Sequence, residues 1–184
     1  MPRKSCKEAI LDAAEEVVLE NGAGHMSLDM VAKKAGVSKG GLMYHFPAKE
    51  SLLKAMVDRL ITEFYEQRKV KLDGLAESRG RLLKAEIMAA LDPNEKRDRM
   101  ALSILAAASQ APGLLDPLRM AHSEHLKLLQ ESGLPFERAA IISLASDGLM
   151  FLELLHLSPF SPVQRKKIAK ELLHLIEQME LEKE

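Results

Sequence analysis

Ser27-Leu28-Asp29-Met30-Val31-Ala32-Lys33-Lys34-Ala35-Gly36-Val37-Ser38-Lys39-Gly40-Gly41-Leu42-Met43-Tyr44-His45-Phe46 holds two short helical patterns joined at Gly36-Val37-Ser38. Ser27 is placed to cap the first, in which Leu28, Val31 and Ala32 share an i, i+3, i+4 face. Gly36 ends it, because a glycine accepts the left-handed conformation of a helix stop. Ser38 caps the second, in which Leu42 and Phe46 share an i, i+4 face. Lys39, Gly40, Tyr44 and Met43 then point away from the packed side. A helix-turn-helix has this construction and lays its second helix in the DNA major groove, so the pattern predicts a DNA-binding regulator. Gly40 and Gly41 each cost a helix about 1 kcal/mol against alanine, and their presence points to a close approach of backbone to DNA. Lys39 is the best candidate base reader, with guanine O6 and N7 as its acceptors.

Outward from this motif the chain reads as helix after helix. Before it, Ile10, Ala13, Ala14, Val17 and Val18 recur at helical spacing from Ser5, and Asn21-Gly22-Ala23-Gly24 stops the run. After Phe46-Pro47 a long fourth helix is predicted over about 48–69, with Leu52, Leu53, Met56, Leu60, Ile61 and Phe64 on one stripe. Gly74 and Gly80 bracket a break before a fifth helix carrying Leu82, Leu83, Ile87 and Leu91. Asp92-Pro93-Asn94-Glu95 reads as a start signal, with Asp92 as cap and Pro93 at the first helical position of a sixth helix that ends near Gln110. Three more follow: one up to Ser132-Gly133, one opening at Pro135 that is apolar nearly all round between Ile141 and Leu157, and one capped at Ser161 with Ile168, Leu172, Leu175, Ile176 and Met179 on a stripe. The expected fold is all-α with about nine helices. It divides into a helix-turn-helix domain over 1–50 and a helical ligand-binding and dimerisation domain over 51–184.

Composition agrees with this reading. In 184 residues, 47% are hydrophobic and only 4% aromatic, which favours a folded helical chain over a disordered or strand-rich one. A single Cys6 excludes an intrachain disulfide. The opening Met-Pro-Arg-Lys leads into a stretch broken by Asp12, Glu15 and Glu16 rather than into an apolar signal core, so a cytoplasmic location is expected. The densest apolar run, Leu149 to Leu157, is far shorter than the roughly 20 residues of a membrane span. A net charge of −1 looks wrong for a nucleic-acid binder. Placement matters more than the total: Lys33, Lys34, Lys39 and Lys49 fall on or beside the motif, and Arg3, Lys4 and Lys7 form a candidate arm along the DNA backbone or minor groove.

Ile10-Leu11-Asp12-Ala13-Ala14, Gly22, Ser27, Val31-Ala32, Ala35-Gly36-Val37-Ser38-Lys39-Gly40, His45-Phe46, Lys49-Glu50 and Leu52-Leu53 together resemble the DNA-binding domain of TetR-type, tetracycline-repressor-like regulators. The resemblance covers about the first third of the chain. It implies DNA contacts through Ser27, Ser38, Lys39, Gly40, Gly41, Met43, Tyr44, His45 and Lys49, with Ser27, His45 and Lys49 directed at phosphate. It also implies a homodimer on a pseudo-palindromic operator, usually repressing transcription, in which a small effector in the C-terminal domain moves helix 4 and respaces the two reading heads. The family commonly has an aromatic where Ala23 stands, Thr at Met26, Tyr at Met43 and Ser at Ala48. Those departures remove expected hydroxyls and shift phosphate anchoring onto Ser27, Tyr44, Lys49 and backbone amides.

In the C-terminal part, Met88, Met100, Met120, Met150 and Phe151 are candidates to line an adaptable apolar cavity, with Gln110, His122, Asp147 or Glu153 as polar anchors. The two last helices are too apolar to be single-sided and suggest a subunit interface. In the resembled family they pair as a four-helix bundle, which puts Leu144, Leu152, Leu155, His156, Leu172, Leu175 and Ile176 at the dimer interface. Two other readings stand beside this one. The first is a helical small-molecule-binding protein with weak or no DNA binding, favoured by Met26, Met43 and the neutral charge. The second is a metal-dependent enzyme using His122 and His125; these are only i, i+3, no Cys lies near, and neither a phosphate loop nor a nucleophile elbow occurs. No catalytic residue, metal or cofactor is therefore expected.

Overall fold

A computed structural model describes residues 5–182. Arg3 and Lys4 of the candidate arm lie outside them. The order is α1 (Cys6–Asn21), α2 (Leu28–Ala35), α3 (Lys39–His45), α4 (Lys49–Asp73), α5 (Arg81–Ala90), α6 (Glu95–Ala108), a short 3-10 turn (Pro112–Leu115), α7 (Asp116–Glu131), α8 (Phe136–Leu154) and α9 (Pro162–Leu181). Among the described residues there are nine α-helices and no strand, the all-α architecture that the periodicity predicts.

The helix ends show why these segments fold locally. Ser5 and Glu8 close a full capping box on α1, and Ser161 and Gln164 close another on α9, so orphan amides at both starts are satisfied reciprocally. Gly36 has φ +68° and ends α2 in the left-handed region. At α4 the missing Ser at position 48 is replaced from inside the helix. Ser51 Oγ accepts from the Ala48 N–H at 3.2 Å and donates to the Ala48 carbonyl at 2.7 Å. The sixth helix differs from expectation, since it begins at Glu95, beyond both Asp92 and Pro93, and the Asp92 carboxylate pairs with Lys71 at 2.7 Å.

Two compact units emerge, and their boundary is not at residue 50. The first comprises 1–61 and 95–120, the second 62–94 and 121–184. The physical reason is the apolar face of α6. Met100, Ile104 and Ala108, with Leu114 of the turn, are buried in one core with Ile10, Val18, Val31, Leu42, Phe46, Leu52 and Met56. A 50-residue domain buries too little surface to be well stabilised alone, and here α6 returns to cover it. Ion pairs reinforce that layer: Arg59 of α4 reaches Asp12 at 2.7 Å and Glu15 at 3.0 Å, and Lys96 of α6 reaches the other Glu15 oxygen at 2.6 Å.

In the second unit, α5 packs on α8 and α9, and α8 on α9. Its core is built from Leu83, Ile87, Leu129, Leu134, Ala139, Ile142, Leu149, Leu172, Ile176 and Met179. The end of α9 is fastened by Arg79, whose guanidinium donates to the carbonyls of Gly133, Met179, Glu180 and Glu182. Beside it the Glu180 carboxylate accepts from Lys84 at 2.7 Å and from the Gly80 N–H at 2.7 Å. No helix is long and apolar enough to cross a membrane among the described residues.

Candidate functional site

The turn between α2 and α3 sets what α3 presents. Ser27 Oγ accepts from the Met30 N–H and Ser38 Oγ from the Gly41 N–H at 3.0 Å, so both hydroxyls are already engaged as caps. Leu42 is fully buried and Phe46 nearly so. Those two anchors rotate the opposite side of α3 outward: Lys39, Gly40, Met43 and Tyr44 are exposed, with Tyr44 at 85%. His45 is half-buried, and its ring meets that of Tyr44 edge-on at 5.1 Å.

The two glycines of α3 differ. A Cβ built on Gly40 meets nothing within 4 Å, whereas one on Gly41 lies 3.2 Å from Ser38 Oγ. The cap thus explains Gly41 within the fold. Nothing inside the subunit requires Gly40.

The basic residues carry less unmatched charge than the sequence suggests. Lys39 Nζ is 3.0 Å from Asp29 one helix back, and Lys34 pairs with Glu20 at 2.6 Å and Glu16 at 3.2 Å. The hydrogen bonds that Lys34 donates to those two acids raise its pKa. Lys49 Nζ donates to the Gly24 carbonyl at 2.6 Å, and burial lowers its pKa. It therefore ties the start of α4 to the loop ahead of α2. Lys7 lies over the Phe46 ring, 5.9 Å from its centroid. Ala23 and Met26, the positions without the expected aromatic and Thr, are buried at 1% and 2% exposure, so both serve the core.

The cavity residues expected in the C-terminal part are distributed over both units. Met100 is 2% exposed in the core of the first unit, where the apolar face of α6 carries it. Gln110 and Met120 belong to that unit as well, and both are exposed. Met88 is half-buried in the second unit, and Phe151 is 39% exposed. Glu153 pairs with Arg165 at 2.7 Å. His122 favours the ionised form of Asp147. Asp147 is half-buried, and burial pushes its carboxyl above the usual range despite His122 and His125.

Around them stands a polar group of which the sequence singles out only His125, as a candidate metal ligand. His125 Nδ1 lies 3.0 Å from Glu86 and Nε2 lies 2.9 Å from Ser143 Oγ, with both ionisable side chains largely buried. The neighbouring Glu86 carboxylate raises the His125 pKa against the opposing effect of burial. Among the described residues no three His, Cys, Asp or Glu side chains are arranged to hold a metal ion. Periodicity alone does not reveal this group, because its members come from separate helices.

The proposed interface residues divide in two. Leu172 and Ile176 are buried inside their own subunit, at 6% and 0%, because the turn of α9 that carries them faces α5 and α8. Leu144, Leu155 and Leu175 are exposed at 69%, 47% and 37%, and His156 is exposed while Leu152 is half-buried. Ile141, exposed at 64%, and Phe151 extend the apolar strip on α8. The sequence could not separate these sets, since α8 and α9 carry apolar residues on more than one face.

Known proteins place this geometry. Residues 10–56 match the family described as bacterial regulatory proteins, tetR family, and residues 80–177 match the tetracyclin repressor-like C-terminal domain. An uncharacterised HTH-type transcriptional regulator, YvdT of Bacillus subtilis, is 37% identical over 67 residues, covering 36% of this chain and 34% of that protein. The HTH-type transcriptional repressor BepR of Brucella suis is 40% identical over 53 residues, covering 29% and 25%. The chain thus matches only about a third or less of the length of these relatives. Over nearly its whole length the fold is that of the multidrug binding protein EbrR complexed with imidazole, with TM-score 0.69, 22% identity and coverage of 94% and 96%. With both halves matched in order, the chain belongs to the TetR family of bacterial regulatory proteins.

Proposed function

We propose that the protein is a ligand-responsive transcriptional repressor that binds a pseudo-palindromic operator as a homodimer. One observation carries the DNA-binding part: α3 exposes Lys39, Gly40, Met43 and Tyr44 on the side opposite its buried anchors, and the subunit makes no use of Gly40. In this reading Lys39 and Tyr44 read or touch the groove, and Gly40 admits the backbone close to DNA. Ser27, Ser38, Gly41, His45 and Lys49 surround that surface. Lys49 holds the α1–α2 loop in place for phosphate, in addition to any charge it contributes. The exposed strip of Ile141, Leu144, Phe151 and Leu155 on α8, with Leu175 on α9, supports pairing of two subunits, because apolar surface of this kind is costly to leave in water.

Ligand response requires an effector that binds one state of the dimer better than the other. The fold shared with a multidrug binding protein supports a C-terminal effector site. A cytoplasmic location and a non-enzymatic role follow from the same reading. Gel shifts with the DNA upstream of the protein's own gene test it. Salt-sensitive, sequence-preferring retardation is expected, with Lys39→Ala relaxing the preference. Retardation that is absent at low salt overturns the DNA-binding reading in favour of a ligand-binding protein alone.

A further inference from the structure

Lys39 opens α3, and Asp29 lies in the first turn of α2. The Lys39 Nζ is 3.0 Å from each oxygen of the Asp29 carboxylate, with 59% of the lysine side chain and 67% of the aspartate side chain exposed. Stability accounts for little of this pairing, because an ion pair so open to water contributes little to folding. Attraction to the DNA backbone does not account for it either. A carboxylate beside the reading lysine cancels the charge that draws phosphate, and when ionised it has no proton to donate to a phosphate oxygen. Base edges are different. The amino groups of cytosine N4 and adenine N6 are donors in the major groove, and a carboxylate accepts from such a group. Gly40, on which an added Cβ meets nothing within 4 Å, directly follows Lys39 and lets the backbone here come close to the groove floor. That brings a side chain as short as Asp29 within reach of the bases.

We propose that Asp29 and Lys39 act as one reading element that selects a G·C base pair together with its strand orientation. The proposal rests on the DNA-binding reading above and adds Asp29 to the contact surface. The ammonium and carboxylate atoms are 3.0 Å apart, and guanine O6 and cytosine N4, hydrogen-bonded to each other within one base pair, are about 2.9 Å apart. Lys39 facing O6 therefore sets Asp29 facing N4. The lysine has three N–H donors, so it serves the carboxylate and still donates to guanine O6 or N7. A T·A pair in the same orientation offers O4 and N6 at similar spacing, but it turns the thymine methyl toward the ammonium and the adenine N7 acceptor toward the carboxylate. The inverted pairs, C·G and A·T, present a donor to Lys39 and an acceptor to Asp29. The order of preference is G·C, then T·A, then the inverted pairs. Lys39 alone would take guanine on either strand. Because the element is neutral, it adds discrimination while adding little to the sequence-independent pull of phosphate.

The test is selection by the full-length protein from a pool of random-sequence DNA duplexes, followed by salt titration of binding to the selected duplex and to an unselected one. Wild type is expected to select a G·C pair at one position of each half-site and to bind about tenfold more weakly when that pair is inverted to C·G. Asp29→Ala and Asp29→Asn are both expected to lose the orientation preference. They should also bind the unselected duplex more tightly, with a salt slope steeper by about one per subunit, as the released Lys39 reaches phosphate. Lys39→Ala is expected to lose the same preference without that steepening, and the double variant Asp29→Ala/Lys39→Ala to lose no more of it than either single one. A preference that survives in both Asp29 variants but goes in Lys39→Ala overturns the paired element and leaves Lys39 reading by itself. Equal weakening on every duplex with a lowered unfolding midpoint in both Asp29 variants marks a structural residue and overturns it as well. So does a Lys39-dependent position at which A·T or T·A is selected. Failure of the wild type to select any duplex overturns the DNA-binding reading itself, and the proposal with it.

Discussion

The first unit spends its polar groups on itself, whereas the second leaves a buried hydroxyl unspent. Around α2 and α3, Ser27 and Ser38 cap, Lys34, Lys39 and Lys49 each have a partner, and Leu42 and Phe46 are locked in the core. What remains outward is a small surface of one lysine, one glycine, one methionine and one tyrosine. In the second unit, the buried hydroxyl of Ser146 has no hydrogen-bonding partner and α8 exposes an apolar strip. The difference teaches how the two halves meet their partners. A reading head must hold its side chains in fixed register before DNA arrives, since preorganisation lowers the cost of binding. In the proposed dimer, the exposed strip on α8 is an unmet demand that a second subunit would supply.

The contrast breaks most visibly in the cores. Leu42→Ala empties a fully buried site between α3 and the first core and is expected to cost about 2–5 kcal/mol in denaturant unfolding. Truncation of exposed Leu144 to Ala is expected to change subunit stability by no more than about 0.5 kcal/mol. A comparable loss at both positions would show that the Leu144 face of α8 also packs within the subunit. Leu144→Glu addresses the assembly directly. Placing a charge on the apolar strip is expected to convert dimer to monomer in sedimentation, and an unchanged dimer would move the interface elsewhere.

Acid sharpens the same contrast in the second unit. Burial works against ionisation of Glu180, but hydrogen bonds from Lys84, Ser78 and the Gly80 N–H outweigh it and hold its pKa below the usual value. A depressed folded pKa contributes stability above the ordinary carboxylate range and loses it as pH falls through the folded value. The second unit should thus weaken on acidification below about pH 4.5, and Lys84→Met should flatten that dependence when unfolding is followed against pH. In the first unit Gly40→Ala is expected to stabilise by up to about 1 kcal/mol while weakening operator binding. A variant both more stable and equally tight on DNA would remove Gly40 from the contact surface. The smallest effect is at His156, which ends α8 with φ +54°. His156→Gly relieves a left-handed conformation and should raise stability by about 1 kcal/mol or less.

Helix-turn-helix caps and anchors were legible because they are local. Ser27, Gly36 and Ser38 act within four residues, and Leu42 and Phe46 declare their face by spacing. The Ser51 substitute for a cap at Ala48 was also local, visible as a hydroxyl three residues into α4. Less legible was the neutralisation of the motif's lysines, since Lys39 meets Asp29 and Lys34 meets Glu20 across helix pairs. The core that Met100 joins was not legible for a related reason. Its helical face is evident, yet which unit that face covers depends on the path of the chain after residue 94.

The sequence by itself determined the succession of helices, the caps of α1, α2, α3 and α9 and the outward side of α3, because hydrogen bonding within a turn and apolar periodicity are properties of neighbouring residues. Only the tertiary structure decided that α6 completes the first core, that Leu172 and Ile176 are internal, and that Glu86, His125 and Asp147 gather from α5, α7 and α8. Packing joins residues far apart in the chain, and the free energy of burying a face does not record in advance which partner will cover it.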